Sequence, residues 1–211
     1  MTVSLKLMYY KYSVFGRVHS HNGSVTMKYC LCSTSPRRRE LLKLIIPEFE
    51  IRPSGAERPI PSGMAPEESC VMLSLHKLPP RAEAGAVFIC ADTIVSVDGV
   101  QLGKPSSPGQ AAEMLSLLSG RSHKVTTGYA IACGDLILKG YENTTVFFGN
   151  MSPEDIAAYV ATGEPMDKAG AYGIQGLASR FIRGIEGDYF NVVGLPVYSL
   201  YHTLKSHDLI R

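Results

Sequence analysis

The segment 31–42 constrains the fold most strongly, because an apolar strand pattern ends there and a helix pattern begins. Ser35 is a good N-cap, since its hydroxyl can accept a hydrogen bond from a free backbone N–H of the first turn. Pro36 suits the first helical position, where no N–H is needed. Leucine and isoleucine then recur at helical spacing as far as Ile46. The pattern therefore predicts a strand that leads through a short turn into a helix.

Three consecutive arginines occupy the first turn of this predicted helix. Cations are unfavourable there, because the helix dipole is already positive at that end. One interpretation is a solvated basic turn. The other is that Arg37 and Arg38 join the free backbone N–H groups in binding an anion, above all a phosphate chain. Ser33 and Ser35 would then add hydroxyl donors.

The rest of the chain predicts an α/β fold with a mixed twisted sheet and flanking helices, since helices and strands do not alternate strictly. The apolar run 87–91 is typical of a strand buried on both faces, and it ends at Asp92 before continuing over 94–97. The last part of the sheet is expected from three antiparallel strands joined by glycine turns, at 125–132, 135–139 and 141–148. Short strand pieces are expected at 181–182 and 189–193. Helices are expected at 36–46, 65–78, 108–119, 153–162 and 195–204.

Composition excludes several function classes. A net charge of +2 argues against a dedicated nucleic-acid-binding surface. The five cysteines are odd in number, have no Cys-x-x-Cys spacing and mostly lie in apolar runs, so we expect reduced core thiols, no zinc site and a cytoplasmic protein. No apolar run approaches the roughly 18 residues that cross a bilayer, so no membrane partner is expected.

Residues 1–26 differ from the rest, because they contain lysine and arginine but no acidic residue. We expect them to form a poorly ordered N-terminal extension that precedes one folded domain, residues 27–211. A transit peptide and an extended start are both compatible with this composition.

Asp92 is the first candidate for chemistry, because a carboxylate at the end of an apolar strand is costly to bury unless it is paired. It could cap a turn, or it could act as a metal ligand or a general base at a cleft. Thr93 beside it could position a ligand through its hydroxyl. Lys104, in Leu-Gly-Lys-Pro, would complete a set of charges suited to a metal-bound polyphosphate. Lysines 77 and 168 are weaker candidates of the same kind.

A glycine-rich segment, residues 163–176, is the second notable feature. Its glycines recur every third residue, which could bring the backbone close to a planar ligand. The carboxamide of Gln175 carries a donor and an acceptor that match the edge of uracil or thymine. A plain surface glutamine is the alternative.

Taken in order, five motifs resemble the Maf family of nucleoside triphosphate pyrophosphatases, and the last motif resembles its dTTP/UTP branch. They are Ser-Thr-Ser-Pro-Arg-Arg (33–38), Ala-Asp-Thr-Ile-Val (91–95), Leu-Gly-Lys-Pro (102–105), Leu-Ser-Gly-Arg-Ser-His (118–123) and Asp-Lys-Ala-Gly-Ala-Tyr-Gly-Ile-Gln-Gly (167–176). The resemblance implies two lobes around a central cleft, as in inosine triphosphatase. It also implies that Asp92 is the proton acceptor, and that Arg37, Thr93 and Gln175 determine specificity.

The resemblance further implies hydrolysis of dTTP and UTP to the monophosphate and pyrophosphate, with a divalent cation, Mg²⁺ or Mn²⁺, held by Asp92 and Glu57. Arg38 and Lys104 would stabilise charge during the reaction. Ser33, Ser35, Lys77 and Lys168 would contact the substrate, and a homodimer is compatible with the family. A non-catalytic nucleotide-binding regulator of cell division and a purine-selective pyrophosphatase are the alternatives.

Overall fold

The computed structural model describes residues 27–52, 54, 61 and 63–210, and the expected N-terminal extension lies outside them. The described strands are β1 (Lys28–Leu31), β2 (Glu50–Ile51), β3 (Ala86–Val97), β4 (Val100–Leu102), β5 (Ser122–Cys133), β6 (Leu136–Phe148) and β7 (Ile182–Glu186). The helices are α1 (Pro36–Lys43), α2 (Pro66–His76), α3 (Pro108–Leu118), α4 (Pro153–Ala161), α5 (Tyr189–Val193) and α6 (Val197–Ser206).

These strands form one mixed sheet in the order β2-β1-β3-β5-β6-β7, with β4 paired to β3. The strand β1 runs parallel to β2 and β3, and the other pairs are antiparallel. The predicted mixed α/β fold is therefore confirmed. Serine N-caps explain where three of the helices begin, because Ser35, Ser107 and Ser152 each accept a hydrogen bond from the first turn.

One face of the sheet carries two separate hydrophobic cores. Alternate residues of β3 from Val87 to Ala91 pack with α1 and α6 in one core. Val95 and Val97, farther along the same strand, pack with α3 and α4 in the other. Because residues two apart on a strand share a face, Thr93 lies on this face between the two cores. These cores correspond to the two lobes that the resemblance implies.

The opposite face of β3 is covered by α2. Phe88 and Cys90 pack there with Cys30 of β1 and with Cys32, which follows that strand. Gly128 of β5 pairs with Asp92, and a Cβ on this glycine would lie 2.5 Å from the backbone of Cys70 in α2. A larger residue at position 128 would push α2 away, so the glycine permits this helix to pack directly against the sheet.

The expected strands at 135–139 and 141–148 are one continuous strand, so the prediction of a glycine turn between them is wrong. Gly140 lies inside β6 and pairs with Tyr129 of β5. A Cβ at this position would lie 2.5 Å from the tyrosine hydroxyl oxygen. The glycine thus makes room for a cross-strand aromatic ring instead of marking a turn.

The prediction of a strand piece at 189–193 is also wrong, because these residues form the short helix α5. Asp188 caps its first turn by accepting a hydrogen bond from the backbone N–H of Phe190 at 2.8 Å. Gly194 ends the helix with a φ of 127°, in the region that favours glycine. Local capping therefore overrides the strand preference of Val192 and Val193.

The cysteines are free thiols, as expected, and Cys133 alone among them is not fully buried. The helices within the described part of the chain are all too short or too polar to span a bilayer.

Candidate active site

A gap in the sheet sets the position of the candidate site. Pairing of β1 with β3 ends at Leu31 opposite Ile89, and pairing of β4 with β3 ends at Leu102 opposite Val95. In the described structure, the backbone of residues 90–94 therefore has no strand partner on this edge. Asp92 was expected at the end of a strand, but it lies in the middle of a twelve-residue strand, beside this gap. Strand β1 leads directly into α1, which places the start of that helix at the gap.

The N-terminus of α1 presents hydroxyl groups and free backbone donors. Ser33 is buried, and its Oγ accepts a hydrogen bond from the backbone N–H of Ser35 at 3.2 Å. The Oγ of Ser35 accepts from the backbone N–H of Arg38 at 3.4 Å. Since both oxygens act as acceptors in these contacts, both hydroxyl protons stay available for an anion at the helix terminus.

Arg38 is held rigidly by protein acceptors. Its Nε donates to the carbonyl oxygen of Gly194 at 2.8 Å, and its Nη2 donates to Oγ1 of Thr93 at 3.0 Å. A longer contact of 3.5 Å joins Nη1 to the Oγ of Ser33. Burial lowers the pKa of the guanidinium, and the nearby Asp92 carboxylate raises it in part. The Arg38 side chain is thus a cation fixed at the start of α1 and close to Asp92.

Asp92 forms an ion pair with Lys77, whose ammonium contacts the Oδ1 atom of the carboxylate. The Lys77 side chain is only 9% exposed, compared with 17% for Asp92. Its Nζ also lies 3.4 Å from the carbonyl oxygen of Ala91. Lys77, at the end of α2, therefore fixes the Asp92 carboxylate through Oδ1. The Oδ2 atom of Asp92 makes no hydrogen bond among the described residues.

A second charged cluster, formed by Arg37, Asp167 and Lys168, lies at the exposed edge of the site, which we call the rim. The Nη1 of Arg37 lies 3.4 Å from a carboxylate oxygen of Asp167, and the Nζ of Lys168 lies 2.6 Å from the other oxygen. Burial would raise the pKa of Asp167, but the hydrogen bond and charge of Lys168, with those of Arg37, lower it overall. This network ties α1 to the glycine-rich segment.

The glycines of that segment make room for the protein's own side chains. A Cβ at Gly173 would lie 2.7 Å from the side chain of Lys168, and one at Gly176 would lie 2.1 Å from a carboxylate oxygen of Glu164. Glu164 also accepts from the backbone N–H of Leu177 at 2.9 Å. The expectation that these glycines bring the backbone to a ligand is therefore not needed to explain Gly173 and Gly176. Gln175 lies between them, exposed to solvent.

A buried histidine anchors the same segment. The Nε2 atom of His123, from the start of β5, lies 2.7 Å from the hydroxyl oxygen of Tyr172. Both rings pack edge-on against Phe148. Burial lowers the pKa of His123 to about 4, so the imidazole is neutral near pH 7.

Two candidates stand apart from these groups. Lys104 is exposed and makes no hydrogen bond or ion pair within the described ranges. Its neighbour Gly103 accepts a hydrogen bond from the backbone N–H of Gly170 at 3.0 Å, which places Lys104 where β4 meets the glycine-rich segment. Glu57, the second expected metal ligand, lies outside the described residues.

The sequence patterns did not reveal three residues that position Arg38 directly or through Thr93. They are Thr127, Asn191 and Gly194. The hydroxyl oxygens of Thr93 and Thr127 are 2.9 Å apart, and Thr127 contacts Asn191 through both its backbone and its side chain. The signal that could have found them is the aspartate before residue 189 and the glycine after residue 193, which mark the two ends of a short helix.

The chain is a mixed α/β protein in which the helix terminus, the fixed cation and the ion-paired carboxylate lie at one gap in the sheet, a set of groups that suits a phosphate chain. A model of the family described as "Maf-like protein" matches residues 28–207, so the chain belongs to the Maf-like protein family.

Three relatives carry the name dTTP/UTP pyrophosphatase. One from Thermococcus gammatolerans is 52% identical over 168 residues, which is 79% of this chain and 90% of the relative. One from Bacillus thuringiensis is 46% identical and one from Bacillus cereus is 45% identical, each over 184 residues that make up 86% of this chain and 96% of the relative.

Proposed function

We propose that this chain is a nucleoside triphosphate pyrophosphatase that hydrolyses dTTP and UTP to the nucleoside monophosphate and pyrophosphate. The names of the relatives support the reaction and the bases. The observation that carries the proposal is the shared position of Arg38 and Asp92 at the gap in β3. A fixed cation can stabilise the charge that develops on the phosphoryl oxygens, and a carboxylate beside it can take a proton from the attacking water.

The triphosphate binds at the N-terminus of α1. A guanidinium has five N–H donors, and three of those on Arg38 are directed at Gly194, Thr93 and Ser33. Within the part of the chain that the structure describes, two donors therefore remain for phosphate oxygens, together with the hydroxyl protons of Ser33 and Ser35. Arg37, Lys104 and Lys168 add positive charge at the rim, where the outer phosphates would lie.

Asp92 is the general base in this proposal. Its carboxylate takes a proton from water as the oxygen attacks the α-phosphorus, and the bond from that phosphorus to the bridging oxygen breaks. The leaving group is pyrophosphate, whose charge is offset by Arg38 and Lys104. Lys77 holds the carboxylate through Oδ1, which leaves Oδ2 as the proposed proton acceptor.

The donor set fits a divalent cation. No cluster of three His, Cys, Asp or Glu side chains occurs within the described ranges, and Mg²⁺ commonly uses one or two carboxylates together with substrate phosphates and water. Among the described residues, Oδ2 of Asp92 makes no hydrogen bond, and Glu57 is the proposed second ligand. When bound, Mg²⁺ or Mn²⁺ would offset phosphate charge and make the attacking water more acidic.

Gln175 is the proposed base-selecting residue. Its carboxamide can donate to O4 and accept from N3–H of uracil or thymine. Its place in the glycine-rich segment, which Arg37 ties to α1 through Asp167, supports this role. The free thiols support a cytoplasmic location. The homodimer and the boundary of the folded domain at residue 27 stay predictions.

A panel of nucleoside triphosphates assayed with Mg²⁺ for both pyrophosphate and orthophosphate tests the proposal. We expect pyrophosphate from UTP and dTTP, and none from the Asp92→Asn variant, because asparagine cannot accept the proton. Because Asp92→Asn leaves the buried Lys77 ammonium without its counter-ion, the variant should melt below wild type, and circular dichroism at the assay temperature must show that it is folded.

Asp98→Asn is the matched control, since this aspartate also forms an ion pair, with Arg121, but lies in a turn away from the gap. It should retain wild-type turnover. Tight binding without turnover would favour the regulator, and preference for inosine triphosphate would favour the purine-selective enzyme. Release of orthophosphate as the first product would contradict attack at the α-phosphorus.

A further inference from the structure

The hydroxyl of Thr93 lies between Arg38 and Thr127 and contacts both side chains. We propose that Thr93 acts on the substrate through Arg38, as the middle of a hydrogen-bond chain anchored by Thr127 and Asn191, and that it does not read the base. Thr127 and Asn191 are then positioning residues for the phosphate-binding cation. This inference rests on the proposed function for its substrate.

The groups at the two ends of this hydrogen-bond chain determine which atom donates in each bond. The carbonyl oxygen of Asn191 can only accept, so the hydroxyl of Thr127 donates to it, at 2.9 Å. Thr127 has no second proton and must accept from the hydroxyl of Thr93, at 2.9 Å. The guanidinium of Arg38 can only donate, so Thr93 accepts from it at 3.0 Å.

This assignment uses the single hydroxyl proton of Thr93. The proton is directed at Thr127, away from any ligand, and the Thr93 oxygen is directed at Arg38. Donation to a base carbonyl would require breaking the bond to Thr127 and leaving a buried oxygen without its donor, which is costly. Thr93 therefore contributes acceptor capacity to Arg38.

Thr127 and Asn191 are both fully buried, so neither can touch a ligand. The amide of Asn191 is completely satisfied: Oδ1 accepts from the backbone N–H of Thr127 at 3.0 Å, and Nδ2 donates to Val125 and Thr144 at 2.9 Å each. This side chain therefore fixes α5 to β5 and β6.

The same helix supplies the second acceptor for Arg38. Gly194 follows directly after α5, and its carbonyl oxygen accepts from the Nε of Arg38 at 2.8 Å. Buried Asn191 thus supports two contacts of the Arg38 guanidinium. It fixes α5, which positions the Gly194 carbonyl, and it accepts from Thr127, which in turn positions Thr93. Hydrogen bonds linked in this way, with a cation at the end, strengthen each other.

Thr127→Val tests the chain, because valine keeps the shape and removes the hydroxyl. We expect the kcat/KM for UTP to fall roughly tenfold to a hundredfold, through both a higher KM and a lower kcat, since Arg38 binds the phosphates and stabilises charge that develops during the reaction. Thr127→Ser restores the hydroxyl and should restore most of the activity.

Thr126→Val is the matched control. Thr126 is the adjacent residue on β5 and is equally buried, but its hydroxyl donates to Asn143 at 2.6 Å and not toward Arg38. It should lose stability similarly to Thr127→Val without the same loss in kcat.

The base-independence of Thr93 is tested by Thr93→Val with UTP, dTTP, CTP and GTP. A residue that acts through the phosphate-binding cation should lower kcat/KM for every nucleotide by the same factor. The double variant Thr93→Val/Thr127→Val should be no worse than Thr93→Val, since both remove one chain. A loss confined to UTP and dTTP, or multiplicative losses in the double variant, would overturn the proposal.

Binding of inorganic tripolyphosphate, measured by calorimetry, separates this inference from the proposed function. We expect weaker binding to Thr93→Val and Thr127→Val and unchanged binding to Thr126→Val, even if wild type turns over none of the nucleotides. If both folded variants bind tripolyphosphate with wild-type affinity, the proposed role of the hydrogen-bond chain is refuted, whatever the enzyme's substrate. If Thr127→Val does not fold, Thr93→Val provides the same measurement.

Discussion

Gly128 couples the packing of α2 to the geometry of Asp92, and its replacement by alanine tests this coupling. Gly128 is the register partner of Asp92 on β5. A Cβ there would lie 2.5 Å from the backbone carbon of Cys70 and the backbone nitrogen of Val71. Backbone atoms inside a helix cannot move aside individually, so α2 must shift as a body.

The size of the shift follows from the contact distances. Ordinary Cβ contacts begin at 3.4 Å, so α2 must move by 3.4 − 2.5, or about 0.9 Å. Overpacking of this kind costs about 1–3 kcal/mol of stability. For a chain of this length, each kcal/mol lowers the melting temperature by roughly 2–4 °C. Lys77 follows α2 directly, so the same shift moves the ammonium that holds the Asp92 carboxylate.

Gly128→Ala should therefore lower both the melting temperature and kcat, the latter by up to about a hundredfold, as expected for a displacement near 1 Å in a catalytic group. Differential scanning calorimetry and a pyrophosphate-release assay measure the two effects. Gly184→Ala is the control, because a Cβ on this strand glycine meets nothing within 4 Å. If Gly128→Ala has the melting temperature of wild type and a kcat/KM within about twofold of the wild-type value, the coupling between α2 and Asp92 is refuted.

Three further outcomes are expected. Gln175→Glu should lower kcat/KM for UTP and dTTP, because a carboxylate cannot donate to the base carbonyl and repels it; unchanged UTP turnover would remove Gln175 from base selection. Folded His123 stays neutral down to its pKa of about 4, whereas the unfolded chain binds a proton near pH 6.5. Wild type should therefore lose about 3 kcal/mol more unfolding free energy than His123→Gln as the pH falls from 6.5 to 4, measured by urea titration; equal pH slopes would contradict this. Ser152→Ala breaks the capping box of α4 and should cost about 1 kcal/mol of stability without changing turnover, measured by thermal unfolding.

Local chemistry made much of the fold predictable. Ser35 and Pro36 mark the start of α1 through the hydrogen-bonding needs of a first helical turn, and the unbroken apolar run of β3 reflects burial on both faces. Gly140 could not be interpreted in this way. Its role depends on Tyr129, a residue of the neighbouring strand, and a glycine within a strand resembles a glycine at a turn until the register is known.

The candidate site was predictable only where its residues are close to one another in the sequence. Ser33, Ser35 and Arg38 lie within six residues at the start of α1, so their grouping follows from the chain entering the helix. Asn191 approaches the site from 153 residues beyond Arg38 and acts through its packing between strands. Nothing in its own segment reveals that partner, because long-range contacts are set by topology.

The buried thiols give this protein an internal reporter of its own unfolding. Cys30, Cys32, Cys70 and Cys90 are buried, whereas Cys133 is partly exposed. In excess alkylating reagent, one modification per molecule should be fast and the other four should wait for the sheet or α2 to open. Counting the modified sulfurs by mass spectrometry over time therefore measures the opening rate under native conditions, with no label or engineered residue.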